Sequence, residues 1–118
     1  MLKVLVPVDG FSNALRAVRH TIGEYQRHHE LEVHLLNVQP RLSRYVTRFL
    51  RREERDTWQQ AHAATAMAGA KTLLADAGVP HTTHAVAGDS ADEICRVATR
   101  LNIHHIAMGA ARKTRSFA

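Results

Sequence analysis

The sequence predicts an open parallel α/β sheet of at least four strands, with helices on both faces, in a three-layer sandwich. Two observations carry this. Short apolar runs recur along the chain with helical periodicity between them, and a proline, glycine or capping residue punctuates the junctions. Strands that alternate with helices imply right-handed crossovers and a sheet buried under helices. At 118 residues the chain is a single domain, and a chain of this size buries roughly two thirds of its unfolded surface.

The elements follow in the order β-α-β-α-β-α-β. Leu2 to Val8 is a short, nearly continuous Val-rich run, the pattern of a strand buried on both faces. Ser12 can cap a helix in which Ala14, Leu15, Val18, Ile22 and Tyr25 recur at helical spacing. Leu31 to Val38 is a second strand, stopped by Pro40. An alanine-rich helix runs from about Thr57 to Ala77, with Gly78 and Pro80 as its stop signal. His81 to Val86 is a third, weaker strand. Asp89 or Ser90 caps the next helix, and Ser90 with Glu93 fits a capping box. Ile94, Val97, Ala98 and Leu101 form the apolar face of that helix, and His104 to Met108 is a fourth strand.

Composition excludes several classes. Hydrophobic residues make up 45% and charged residues 23%, a globular rather than a disordered balance. The longest apolar runs are only strand-length, so no transmembrane helix is expected. Apolar residues follow the initiator Met with only Lys3 ahead of them, which is not the layout of a secretory signal. The single cysteine, Cys95, excludes a disulfide framework and a Cys-rich zinc site, and makes the cytoplasm the default compartment. A net charge of +5 favours anionic partners without choosing among them. The aromatic residues are scattered and no recognised nucleic-acid motif is present, so nucleic acid is not expected as a partner.

In an open parallel sheet, ligands bind outside the carboxyl ends of the strands. Here those ends read Val8-Asp9-Gly10, Val38-Gln39-Pro40, Ala87-Gly88-Asp89 and Met108-Gly109. Glycine lets backbone and ligand approach closely, and the helix N-termini beyond offer free N–H groups. Asp9 can accept from a ribose or hold a metal ion; equally, Asp9, Gly10 and Ser12 can make only a tight turn and a cap.

Four segments in series resemble the universal stress protein family: Val4-Leu5-Val6-Pro7-Val8-Asp9-Gly10, Val33-His34-Leu35-Leu36-Asn37-Val38, Gly88-Asp89-Ser90-Ala91-Asp92-Glu93-Ile94 and Ile106-Ala107-Met108-Gly109. The resemblance spans residues 2 to 109. It implies an α/β sandwich of the adenine nucleotide alpha hydrolase type with five parallel strands, usually a homodimer, often holding ATP. It implies that Pro7, Val8 and Asp9 contact the nucleotide, that Val38 lies by the adenine, and that Met108 and Gly109 complete the cleft. Gly109 matches the first glycine of the family's Gly-x-x-Gly. Arg112 stands at the second, where its guanidinium can itself meet a phosphate. Phe11 replaces a small polar residue, and Ala118 comes before the final Gly and Ser or Thr of that motif. The last family helix and strand are therefore expected to be missing, which would leave Ile106, Ala107 and Met108 as an uncovered edge; either the chain is a fragment of a longer product, the preferred reading, or dimerisation uses another surface.

The nine histidines form no motif for a metal. His28-His29 and His104-His105 are adjacent pairs, and His81 and His84 point to opposite faces of a strand, so core or solvent-facing histidine is the reading. Cys95 reads as a structural thiol. No catalytic residues are expected beyond, at most, slow nucleotide hydrolysis. In Arg41 to Asp56, the arginines 41, 44, 48, 51, 52 and 55 would share one stripe of a helix, and Leu42, Tyr45, Val46, Phe49 and Leu50 another. Such an amphipathic insertion either packs on the domain as a lid, or presents Arg44, Arg48, Arg51 and Arg52 to a protein partner.

Two functional readings follow. One is a cytoplasmic, homodimeric, non-catalytic stress-response module holding ATP or another adenine nucleotide, with Mg only alongside the nucleotide. The other is an interaction protein of the same fold that does not use nucleotide and works through its arginine-rich segment.

Overall fold

The computed structural model describes residues 1–9, 12–28 and 30–109, with the side chains of Ser12 and Val46 left out of the description. Gly10, Phe11 and Arg112 lie outside the described residues. Strands β1 (Leu2–Pro7), β2 (Leu31–Gln39), β3 (His81–Ala87) and β4 (His105–Ile106) form one sheet in the order β3-β2-β1-β4, and every pairing is parallel. Helices α1 (Ser12–His28), α2 (Arg44–Thr47), α3 (Arg52–Asp76) and α4 (Ser90–Arg100) connect them.

The topology follows from handedness. The chain moves in one direction from β1 through α1 to β2, and through α3 to β3. It then crosses back over β2 and β1 to reach β4. Right-handed crossovers that travel in opposite directions put their helices on opposite faces. Accordingly α1 and α3 pack together on one face and α4 packs on the other. Side-chain alternation sorts each strand between the two. Val4, Val6, Val33 and Leu35 face α1 and α3, where Ala14, Val18, Ala63, Met67, Ala70 and Leu74 meet them. Leu5, Leu36 and Ile106 face α4 and pack on Val97, Ala98 and Ile103.

Two helix ends explain their neighbours. At the end of α3 the Gly78 amide bonds Ala75 O at 3.0 Å and the Val79 amide bonds Leu74 O at 2.9 Å. This pattern needs a left-handed residue, and Gly78 supplies it with φ +70°. Asp89 is the N-cap of α4 and accepts from the Asp92 amide at 3.2 Å. Ser90 is therefore the first helical residue, and the capping box with Glu93 does not form. Glu93 turns inward, 2.8 Å from Arg96, into space that the lack of a side chain on Gly88 leaves open.

The stretch between β2 and α3 differs from its expectation. Helix α3 begins at Arg52, not near Thr57, and only Arg44–Thr47 is helical before it. A turn at residues 48–50 separates the two helices, so the arginines do not share one stripe. Within the apolar stripe Tyr45 and Phe49 are 68% and 71% exposed, whereas Leu42 and Leu50 are half-buried. Local contacts hold the turn: Arg48 lies 5.4 Å from the centre of the Tyr45 ring and 5.9 Å from that of Phe49.

Candidate functional site

The strand order reverses its sense of travel at β1, with β2 on one side and β4 on the other. Helices leave such a point on opposite faces, and a crevice opens between them at the carboxyl ends of the strands. A cleft of about 300 Å³ lies there, lined by residues that include Pro7, Val8, Asp9, Val38, Met108 and Gly109. The six residues expected at the nucleotide cleft and lying among the described ones thus line one cleft, although they come from three strand ends. Its walls are mostly apolar, with Leu36 on the floor side and Ala14 and Ile94 from α1 and α4. Ser90, at the start of α4, adds a hydroxyl.

Backbone ties fix the cleft. The Val8 amide donates to Leu36 O at 2.7 Å, continuing the strand pairing one residue past β1. Asn37, almost wholly buried, donates from Nδ2 to the Val8 carbonyl at 2.8 Å. Gln39 Nε2 donates in turn to Asn37 Oδ1 at 2.6 Å. These bonds satisfy a buried amide and set the direction in which the chain leaves β1 toward Asp9. Gly109 has its own constraint: a Cβ there would overlap the backbone of Asn13 and Ala14 at the start of α1. A side chain at position 109 would push α1 away from the sheet and change the shape of the cleft.

Sequence reasoning did not assign Ser90 or Ile94 to the cleft, nor Asn37 to its support. A signal for Asn37 existed: an amide inside the apolar run Val33–Val38 must find partners if both faces of the strand are buried.

The fold has counterparts. Residues 1–116 match the sequence profile of the universal stress protein family. The chain belongs to the universal stress protein family. Among solved structures it is similar to universal stress protein UspA from Lactobacillus plantarum, at 23% identity over 97% of this chain and 82% of that one, with a TM-score of 0.72. It is also similar to an Arabidopsis thaliana family protein with AMP bound, at 19% identity over 93% and 77% of the two chains, TM-score 0.67. A third is the universal stress protein from Archaeoglobus fulgidus in complex with dAMP, at 17% identity over 92% and 80%, TM-score 0.68. None of the curated proteins compared with the chain matches it in sequence.

This universal stress protein carries a second polar constellation, away from the cleft, that the sequence reading did not find. His34 is buried on the α4 face. Its Nε2 lies 2.8 Å from Glu32 Oε2 and its Nδ1 lies 2.9 Å from His84 Nε2. A carboxylate only accepts, so His34 Nε2 carries the proton. With that tautomer, His34 Nδ1 can accept from the Nε2–H of His84. Burial, His34 and Arg100 hold the His84 pKa below its ordinary value of 6.5, and the bond from His34 holds the Glu32 carboxyl below its own. Lys3 closes the group, 3.9 Å from Glu32. Among the described residues no group of three or more His, Cys, Asp or Glu side chains is arranged to hold a metal ion. No helix of the described residues is long and apolar enough to cross a membrane.

Proposed function

We propose that this universal stress protein is a cytoplasmic, non-catalytic stress-response module that holds an adenine nucleotide in the cleft at the strand ends. One observation carries the reading: residues from three separate strand ends line a single, mostly apolar cleft at the reversal of strand order. A volume of about 300 Å³ sits at the lower end of the range for small-molecule sites. Apolar walls from Val8, Val38, Ile94 and Met108 suit the faces of a planar base, and Asp9 suits a ribose hydroxyl or the edge of a base. Family relatives crystallised with AMP and dAMP support the choice of an adenine nucleotide. Arg112 would meet the phosphates, and Mg would enter only with the nucleotide.

Native mass spectrometry tests this. The wild-type protein is expected to retain or saturably bind ATP or AMP, and Asp9→Ala to weaken that binding by about tenfold, the worth of a charge-assisted hydrogen bond. A wild-type protein that stays free of both nucleotides at saturating concentration, or an Asp9→Ala variant of unchanged affinity, would overturn the assignment.

A second reading rests on a different surface. Tyr45 and Phe49 are exposed beside Arg44, Arg48 and Arg51, a combination that interfaces enrich. In that reading the chain is a homodimer or binds another protein through this segment, with Arg52 at its border. Replacing Arg44, Arg48 and Arg51 with Glu would then abolish association without lowering the melting temperature. Unchanged sedimentation and partner binding would sink it.

A further inference from the structure

We infer that the hollow between Arg41, Arg52 and Arg55 is a second ligand site, built for a phosphate dianion carried free or as a small monoester. The hollow has a volume of about 250 Å³ and lies against the first two turns of α3, beside Ala87 at the carboxyl end of β3. It is distinct from the nucleotide cleft, which opens at β1 and β4 and has no lining residue in common with it.

Three observations converge. First, the lining holds three arginines and a single carboxylate, Asp56, and among the described residues none of these arginines makes an ion pair. Like charges that line one hollow repel one another, an arrangement that an anion relieves. Second, Arg55 Nε is buried and finds no acceptor among the described residues. A buried N–H without a partner is costly, and Arg55 lines the hollow, so an anion bound there that draws the guanidinium outward would supply the missing acceptor. Third, the N-cap position of α3 is held by Arg51, whose side chain makes no capping bond, so the first-turn amides keep their donors.

The chemistry selects the ligand. Arginine presents a planar fork that meets two oxygens at once, which fits phosphate and carboxylate alike. Charge separates these two. The cationic excess left after Asp56 is matched by a phosphate monoester, which carries nearly two negative charges at neutral pH, and not by a single carboxylate. Thr47 and Gln59 in the same lining offer further polar groups to the remaining oxygens. The volume admits a phosphate with a small organic remainder, not a macromolecule.

The inference does not rest on the nucleotide reading, and one set of titrations separates them. Calorimetry of the full chain with phenyl phosphate, inorganic phosphate and acetate is expected to give saturable binding for the two phosphates and none for acetate. Tighter binding of phenyl phosphate assigns a monoester, and equal binding assigns free phosphate. Arg55→Gln is expected to weaken phosphate binding by about tenfold or more. Arg55→Lys, which keeps the charge but loses the fork, should recover only part of it. Arg19→Gln removes the same charge from the exposed face of α1 and should leave the affinity within about twofold, because surface charge acts weakly at a distance. Asp9→Ala should leave phosphate binding intact whether or not it harms nucleotide binding. In NMR titrations the amides of Thr47, Gln59 and Ala87 should shift with inorganic phosphate. Equal losses in Arg55→Gln and Arg19→Gln, shifts confined to Asp9, Met108 and Gly109, or no saturation with either phosphate would overturn the site.

Discussion

The two faces of the sheet are built differently. On the α1–α3 face, Val4, Val6, Val8, Leu31, Val33 and Leu35 join two helices in one apolar cluster that runs the whole length of the strands. On the α4 face Leu5, Leu36 and Ile106 are buried under one short helix, Val38 and Val86 are only partly covered, and Lys3, Glu32, His34 and His84 form a polar group beside them. One face is therefore fixed by packing and the other by a mixture of packing, a helix cap and titratable groups. The cleft takes Leu36, Ser90 and Ile94 from the second face and Val8 and Ala14 from the first. The contrast teaches that a ligand there would meet one well-packed wall and one with less holding it.

Leu35 and Leu36 offer the sharpest test of that contrast, because they are neighbours in β2, wholly buried, and point to opposite faces. Leu35→Ala leaves a cavity enclosed by two helices that cannot both collapse. A loss of about 4 kcal/mol is expected in urea unfolding. Leu36→Ala leaves a cavity that borders the cleft and can relax toward solvent, so about 3 kcal/mol is expected, with weakened nucleotide binding as well. Equal losses, or a larger one at Leu36, would break the contrast.

A smaller effect is expected at the start of α4. Asp89 accepts from the Asp92 amide and is the only side-chain cap on that helix among the described residues. Asp89→Ala should cost about 1 kcal/mol, read as a fall of roughly 4 °C in melting temperature. Asp89→Asn, which keeps the acceptor, should recover most of it. A melting temperature unchanged by Asp89→Ala would mean that Val97 and Ala98 alone hold α4 in place.

The sequence carried the packed face almost completely. Val4, Val6, Val33 and Leu35 alternate, the apolar face of α1 has helical spacing, and Gly78 marks the end of α3; each is a local signal. Val8, Asp9, Val38, Met108 and Gly109 were legible because strand ends in a parallel sheet gather on one rim, and Pro7 only through the family resemblance. What escaped depends on register between strands. His34 and His84 are 50 residues apart and meet only because β2 pairs with β3, and no spacing rule within either strand reveals that. The arginine-rich segment escaped for another reason. Its three- and four-residue spacing continues through residues 48–50, where the chain turns, and the periodic pattern contains no glycine or proline to announce the break. As a result Arg52 and Arg55 belong to α3 while Arg41 and Arg44 do not, and the hollow between them could not be drawn from a helical wheel.

The smallest expected effect concerns the titratable part of the α4 face. Burial, the neighbouring His34 and Arg100 lower the native pKa of His84 below 6.5. The unfolded chain, with the ordinary value, therefore binds a proton at His84 more readily than the native protein does. Stability is unaffected above about pH 7 and falls as the pH drops through 6.5 toward the native pKa, below which this contribution levels off. Glu32 adds a separate loss at lower pH, because its native pKa is depressed below 4.5 by the bond from His34 and by Lys3. The two phases are distinguishable by thermal melts across this range. His84→Gln should remove the upper phase and leave the lower one, since Gln can still donate to His34 Nδ1 without titrating. Neutralising Glu32 as Gln should remove the lower phase. If the melting temperature of the wild type were flat between pH 7 and the onset of Glu32 protonation, His84 would be titrating as a solvated histidine. The α4 face would then differ from its opposite only in the area it buries, not in its response to protons.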